Sequence, residues 1–279
     1  MTGTDASIAL QLCLTLCAAA ALGTWLLSMV TREYSWVDRA WSLLPPAYLW
    51  VFAIIDGLAD ARLVALAVLG TLWGVRLTVN FARKGGYRPG GEDYRWAALR
   101  RRMSRRQFAV FNLVFISIYQ NLLLLFLALP AWTVAQQPGR GFGVAEGVLT
   151  VAFLACLAGE TVADQQQWTF QQHRLMLRAQ GAADPGFLQA GLFRFSRHPN
   201  YFFEIAQWWL IAGFGAVAAG TVLQPGSLGA LLLTLLFLGS IALTESISLE
   251  RHAGYAAYRR RVWPLVPWKP KRAPATAPA

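Results

Sequence analysis

Seven apolar stretches punctuate this chain, near residues 7–30, 41–58, 63–82, 107–135, 142–163, 201–222 and 227–247. About 20 consecutive apolar residues cross the hydrocarbon of a bilayer as a helix. Hydrocarbon offers no partner to an exposed N–H or C=O, so a chain built of such stretches has little choice but to be helical there. The expectation is an all-α polytopic integral membrane protein with seven transmembrane helices. The second stretch is the weakest, interrupted by Pro45 and Pro46 and closed by Asp56. The fourth is long enough to tilt or to extend into water. No basic residue precedes the first, so it is read as a retained span rather than a cleaved leader. One domain is expected over 1–268, most specific over 160–268, followed by a Pro- and Ala-rich disordered tail at 269–279.

The basic residues arrange themselves around these spans. Of 25 Lys and Arg, nine lie in 83–106, four in 164–200 and seven in 251–272. Arg32 and Arg39 join them, leaving Arg62, Arg76 and Arg140 elsewhere. Seven spans place all the basic segments on one face. The positive-inside rule makes that face cytoplasmic, with the N-terminus outside and the C-terminus inside. The net charge of +11 then reflects orientation and affinity for anionic lipid rather than nucleic acid, because the cations sit in short inter-span loops. Cys13, Cys17 and Cys156 lie within spans, without ligand or disulfide spacing, so neither a metal site nor a disulfide framework is expected. No obligate protein partner is evident.

Polar chemistry converges at a few span boundaries. Residues 192–204 read Leu-Phe-Arg-Phe-Ser-Arg-His-Pro-Asn-Tyr-Phe-Phe-Glu and lead directly into the sixth span. Ionisable groups at the mouth of a membrane helix usually line a polar site. Pro199 suits a first helical turn, and Asn200 and Glu204, four apart, share a face. The segment Glu160–Arg178 carries Asp164, Gln171, Gln172, Arg174 and Arg178 on neighbouring faces of a helix leaving the membrane. By residue type, that segment serves equally as a nucleotide grip or as an amphipathic interfacial helix. Glu245, near the end of the seventh span, needs a cationic partner, and Arg197 or His198 is the natural one. Tyr255 and Tyr258 follow it. In the first half, Arg76 and Asn80 share the inward face of the third span, and Tyr34, Ser35, Trp36, Asp38 and Trp41 form a polar-aromatic knot after the first.

These residues resemble the steroid 5α-reductase-like membrane protein family, particularly its bacterial members of unassigned substrate. The matching points are Gly191-Leu192-Phe193, the Ser-Arg-His-Pro-Asn-Tyr run at 196–201 with Glu204, and the closing Tyr255–Pro267. Tyr34–Asp38, Trp73–Arg76 and Gly91–Arg95 also match, so the likeness spans about residues 30–268. Phe203 departs from it, standing where the family commonly has Gly. The resemblance implies a seven-helix NADPH-dependent reductase of a carbon–carbon double bond conjugated to a carbonyl, set in a bacterial-type cytoplasmic membrane. Its substrate would be a lipophilic, steroid-like or isoprenoid-like molecule, and its cofactor would enter from the cytoplasm. Carried over residue by residue, Asn200 and Glu204 hold the nicotinamide half and Asp164 binds further along. Arg174, Arg178 and Arg197 approach charged groups, with His198, Tyr201, Arg76, Asn80, Glu245 and Tyr255 completing the cofactor-facing set. Asp38 is the first candidate to polarise the carbonyl, protonated by burial among tryptophans, and Tyr34 is the second.

Two other readings stay open. Arg197, His198, Tyr201, Glu245, Glu250 and Tyr255 also fit an S-adenosylmethionine-dependent methyltransferase of the isoprenylcysteine carboxyl-methyltransferase type. Phe203 keeps a non-enzymatic lipid-binding scaffold in view. Asn200, Glu204 and the elaborate first half favour the reductase.

Overall fold

A computed structural model describes residues 1–271; beyond Lys271, the expected disordered tail lies outside the described residues. The described chain is helical, in the order α1 (Gly3–Thr31), α2 (Trp36–Trp41), α3 (Leu44–Ile55), α4 (Ala61–Arg83), α5 (Tyr94–Arg102) and α6 (Arg105–Phe111). A π-helical segment (Asn112–Tyr119) runs into α7 (Gln120–Ala135), followed by α8 (Val144–Ala179), a 3₁₀ turn (Gly191–Arg194), α9 (Pro199–Ala219), α10 (Pro225–Arg251) and α11 (Tyr255–Arg261).

Among the described residues, six helices are long and apolar enough to cross a membrane: α1, α4, the continuous run Arg105–Ala135, α8, α9 and α10. This is a polytopic membrane protein. The expected second span differs. Pro45 and Pro46 do not interrupt a helix but begin one, because the first turn has no use for their missing N–H groups. The helix stops at Asp56, where Gly57 and Leu58 take positive φ. Its 12 residues cover only about 18 Å, well short of a bilayer core.

The chain divides into two compact units. The first joins Met1–Leu154 to Gln207–Thr234. Its α1 starts from a reciprocal cap in which Asp5 N–H donates to Thr2 Oγ1 (3.2 Å) and Thr2 N–H to Asp5 Oδ2 (3.0 Å). Asp60 caps α4 and draws the guanidinium of Arg62 back onto itself at 2.7 Å; Arg62, 1% exposed, also donates to the Gln137 carbonyl (2.9 Å). A cation in an apolar stretch is thus neutralised locally. α3 packs on α4 through small residues, since a Cβ at Gly74 would stand 2.5 Å from the Ser42 carbonyl oxygen and 2.9 Å from Pro46 Cγ. Trp73 meets Trp208 edge-on at 4.8 Å.

The second unit joins Ala155–Ala206 to the chain from Leu235 onward. Its closing segment is bound to the stretch before α9. Arg197 N–H donates to the Trp263 carbonyl (2.9 Å), Ser196 Oγ to Leu265 (2.6 Å), Trp268 N–H to Phe195 (3.0 Å) and the Tyr258 hydroxyl to Phe193 (2.6 Å). Phe187 fills the space between them, 5.0 Å from the Tyr255 ring and 5.2 Å from that of Tyr258.

The Gly74 contact gives a paired test. Gly74→Ala forces a methyl against backbone and should cost about 1–3 kcal/mol. Gly23→Ala, in α1 with nothing within 4 Å of the new methyl, should be neutral or stabilise by up to about 1 kcal/mol. Thermal unfolding of the two variants in detergent measures both.

Candidate functional site

In the second unit, Glu245 is the hub. It is 4% exposed and accepts from Arg197 Nε at 2.6 Å; its other oxygen lies 3.1 Å from Arg259 Nε, and His198 Nε2 is 3.3 Å away. Arg197 turns its remaining capacity to backbone, donating to the carbonyls of Arg259 (2.9 Å) and Val262. The cation is therefore spent on holding the C-terminal segment to the mouth of α9. His198 is 8% exposed and stacks on Tyr201 (5.4 Å), which in turn packs on Phe237 (4.6 Å). Burial pushes the Tyr255 phenol up to about 12 and that of Tyr258 higher, so both are neutral hydroxyls at physiological pH.

The first turns of α9 carry Asn200, half-buried, and Glu204, 4% exposed. Phe203 is not a stray bulk. Its ring covers Gly159 of α8 so closely that a Cβ there would lie 2.5 Å from it. The departure noted in the sequence is thus matched by a glycine on the facing helix. On α8 itself, Glu160 and Asp164 are 3% and 4% exposed and one turn apart. Glu160 did not stand out in the sequence, although its spacing of four from Asp164 was the available signal.

Further along α8, Arg174 and Arg178 converge on Asp184. Arg174 holds it with two parallel bonds, Nε–Oδ1 at 2.6 Å and Nη2–Oδ2 at 2.7 Å, and Arg178 Nη2 adds a third at 2.6 Å. Asp184 also accepts from Gly186 N–H at 2.9 Å. These donors, Arg174 first, hold its carboxyl well below the usual carboxylate range. Asp184 reads in the sequence as part of a turn; its role as the arginines' partner is visible only in three dimensions. Gly191, at φ +61°, lets the chain turn back against Gln166, whose Oε1 accepts from Leu192 N–H (2.9 Å).

The first-unit candidates lie in a different arrangement, a latch between Glu33–Arg39 and Gly86–Trp96. Asp38 Oδ2 accepts from the Trp96 indole (2.8 Å), Ser35 Oγ from Asp93 N–H (3.0 Å), Glu92 from Tyr34 N–H (2.7 Å) and Glu33 from Gly90 N–H (2.7 Å). Burial, then repulsion from Asp93, raises the Asp38 carboxyl above its ordinary value against the opposing pull of Arg95, Trp96 and Ser35. The Tyr34 ring meets Phe108 edge-on at 4.7 Å, and Arg100 lies over it at 5.5 Å. On α4, Arg76 is half-buried one turn before Asn80, which is 8% exposed and accepts from Arg83 at 2.8 Å. No group of three metal-binding side chains occurs among the described residues.

Two outcomes follow. Glu245→Gln leaves Arg197, 7% exposed at its side chain, without its carboxylate, and should cost about 3–5 kcal/mol. Limited proteolysis should then cut first within residues 255–271. Asp38→Asn keeps an oxygen for Trp96 but cannot ionise. A raised carboxyl means the folded state holds the proton longer than the unfolded one, so wild type loses stability as pH climbs above about 4. The Tm of Asp38→Asn relative to wild type should therefore rise from pH 4 towards neutrality.

The chain is similar to an uncharacterized protein of Schizosaccharomyces pombe, 36% identical over 259 residues covering 87% of this chain and 75% of the relative. No solved structure matches it. A family model described as a protein of unknown function, DUF1295, matches residues 24–262, which takes in both the first-unit latch and the Glu245 hub. With that share of the sequence matched, the chain belongs to the DUF1295 family.

Proposed function

We propose that this protein is a membrane-embedded reductase that uses NADPH to saturate a carbon–carbon double bond conjugated to a carbonyl in a lipophilic, steroid-like or isoprenoid-like substrate. The observation that carries this reading is the layout of α8. Buried carboxylates at Glu160 and Asp164 mark one end, and the Arg174–Arg178 fork marks the other. From residue 160 to residue 174 the helix rises about 21 Å. An elongated ligand with an amide-bearing ring at one end and phosphate towards the other fits that spacing. Phe203, which stands between Asn200 and Glu204 in the sequence of α9, packs on Gly159, the residue before Glu160. At the second end, Asp184 sits in the arginine fork as a carboxylate held bidentately, which is how guanidinium groups hold phosphate. The motif resemblance to steroid 5α-reductase-like proteins points the same way and would have the cofactor enter from the cytoplasm.

When bound, NADPH supplies the hydride. Asn200 and Glu204 orient the nicotinamide carboxamide, and Asp164 binds further along. Arg174 and Arg178 exchange Asp184 for phosphate. Arg197 and His198 close on Glu245 and so hold the start of α9. On the motif resemblance, the carbonyl-polarising role would fall to Asp38, whose carboxyl is raised above its ordinary value, with Tyr34 second. In the net reaction the β-carbon would receive the hydride and the α-carbon a proton from solvent water.

Thermal shift of the detergent-purified protein with NADPH, NADH and S-adenosylmethionine tests this, since a ligand that binds only the folded state raises apparent stability. NADPH should stabilise wild type, and Asn200→Ala or Glu204→Ala should abolish the effect. Arg174→Ala should weaken it. Asp184→Asn, which removes the internal competitor, should tighten NADPH binding. Stabilisation by S-adenosylmethionine alone would overturn the reductase in favour of a methyltransferase. Indifference to all three would favour a lipid-binding scaffold.

A further inference from the structure

The junction of α5, α6 and the π-helical segment carries an open groove of about 670 Å³, within the range of small-molecule sites. Its lining changes character along its length. Arg102 and Arg106 stand at one end, while Val110, Phe111, Val114 and Phe115 line the other.

Local structure explains the shape. α5 ends at Arg102, and Ser104 caps α6 with Gln107 reaching back to it, so the chain bends where the arginine run meets the apolar run. Beyond the bend, Phe111 stacks on Phe115 at 4.8 Å and Phe115 on Tyr119 at 5.2 Å, giving an aromatic floor. Val110 and Val114 stand beside it, 62% and 53% exposed. The exposed apolar line continues at every fourth residue through Ile118 and Leu122, along a helix run apolar enough to cross a membrane. The floor is π-helical, a conformation that recurs at functional sites.

Two arginines at the head of an apolar groove complement a molecule that carries an anionic headgroup and an acyl chain together. We propose that this groove binds an anionic phospholipid, with its phosphate between Arg102 and Arg106 and one acyl chain along Val110, Val114 and the Phe111–Phe115 face. Free phosphate would engage only the arginines, and a zwitterionic lipid would bring no net charge to them. The site is independent of the proposed reductase chemistry.

The test is titration of the full-length protein in mixed micelles with phosphatidylglycerol, phosphatidylcholine or inorganic phosphate, read by thermal shift. Wild type should be stabilised selectively by phosphatidylglycerol. Each basic residue at an anionic lipid surface is worth about fivefold in affinity, so Arg102→Gln with Arg106→Gln should weaken binding about thirtyfold. Arg101→Gln with Arg105→Gln removes the same charge from the same run outside the groove, and should leave affinity as in wild type. Val114→Asn, at an exposed position, should weaken binding with both arginines intact. Equal stabilisation by phosphatidylcholine, an equal loss in both double variants, or inorganic phosphate matching phosphatidylglycerol would each overturn the proposal.

Discussion

A chain in hydrocarbon must satisfy every backbone donor and acceptor from within, and the rest of this molecule follows from how it meets that demand. The six long helices close their own ladders. What remains are helix ends, and at α1 and α4 a polar side chain seals the N-terminus. Thr2 and Asp5 seal α1, and Asp60 seals α4 while also neutralising Arg62. The same economy governs side chains. Glu245 would be prohibitive at the end of α10 were it alone, but with Arg197, His198 and Arg259 around it the charge is neutralised and the C-terminal segment is anchored.

The polar clusters of the two units differ in kind. In the first unit the latch is mostly side-chain oxygen to backbone N–H, with Glu33, Ser35 and Glu92 each taking a main-chain donor from the opposite strip. Such bonds set the path of a loop and leave Asp38 half-buried, with its carboxyl raised. In the second unit the bonds are mostly between charges, and they divide by role. Arg197 and His198 close on Glu245 and stabilise the start of α9. Arg174 and Arg178 close on a partly exposed carboxylate in a loop, where solvent weakens the pairing. That division separates a buried ion cluster from a solvent-facing one, a distinction that residue type alone does not make.

Helical class, membrane placement and the clustering of polar groups at span boundaries are legible in the chain because they depend on length, hydropathy and spacing along one element. The motif at 196–204 is visible for the same reason. Partnerships are not. Asp184 looks like a turn residue because nothing in its neighbourhood reveals that two arginines a turn apart on α8 reach back to it. Phe203 looks like an intrusion until Gly159 is found beneath it. Glu160 is hidden in an apolar run. The proline pair at 45–46 reads as an interruption, although at the start of a helix it is a support.

By itself, then, the sequence determined that this protein is helical, that most of it lies in a membrane, and where its ionisable groups gather, since all three are set by the transfer cost of consecutive side chains and backbone. Tertiary structure alone decided which cation meets which carboxylate, which of these pairs are buried and which face solvent, and that the second apolar stretch is a short helix. The physical reason is that pairing energies between groups 48 residues apart, such as Arg197 and Glu245, depend on the packing that brings them within 3 Å, and packing is a property of surfaces in contact rather than of neighbours in the chain.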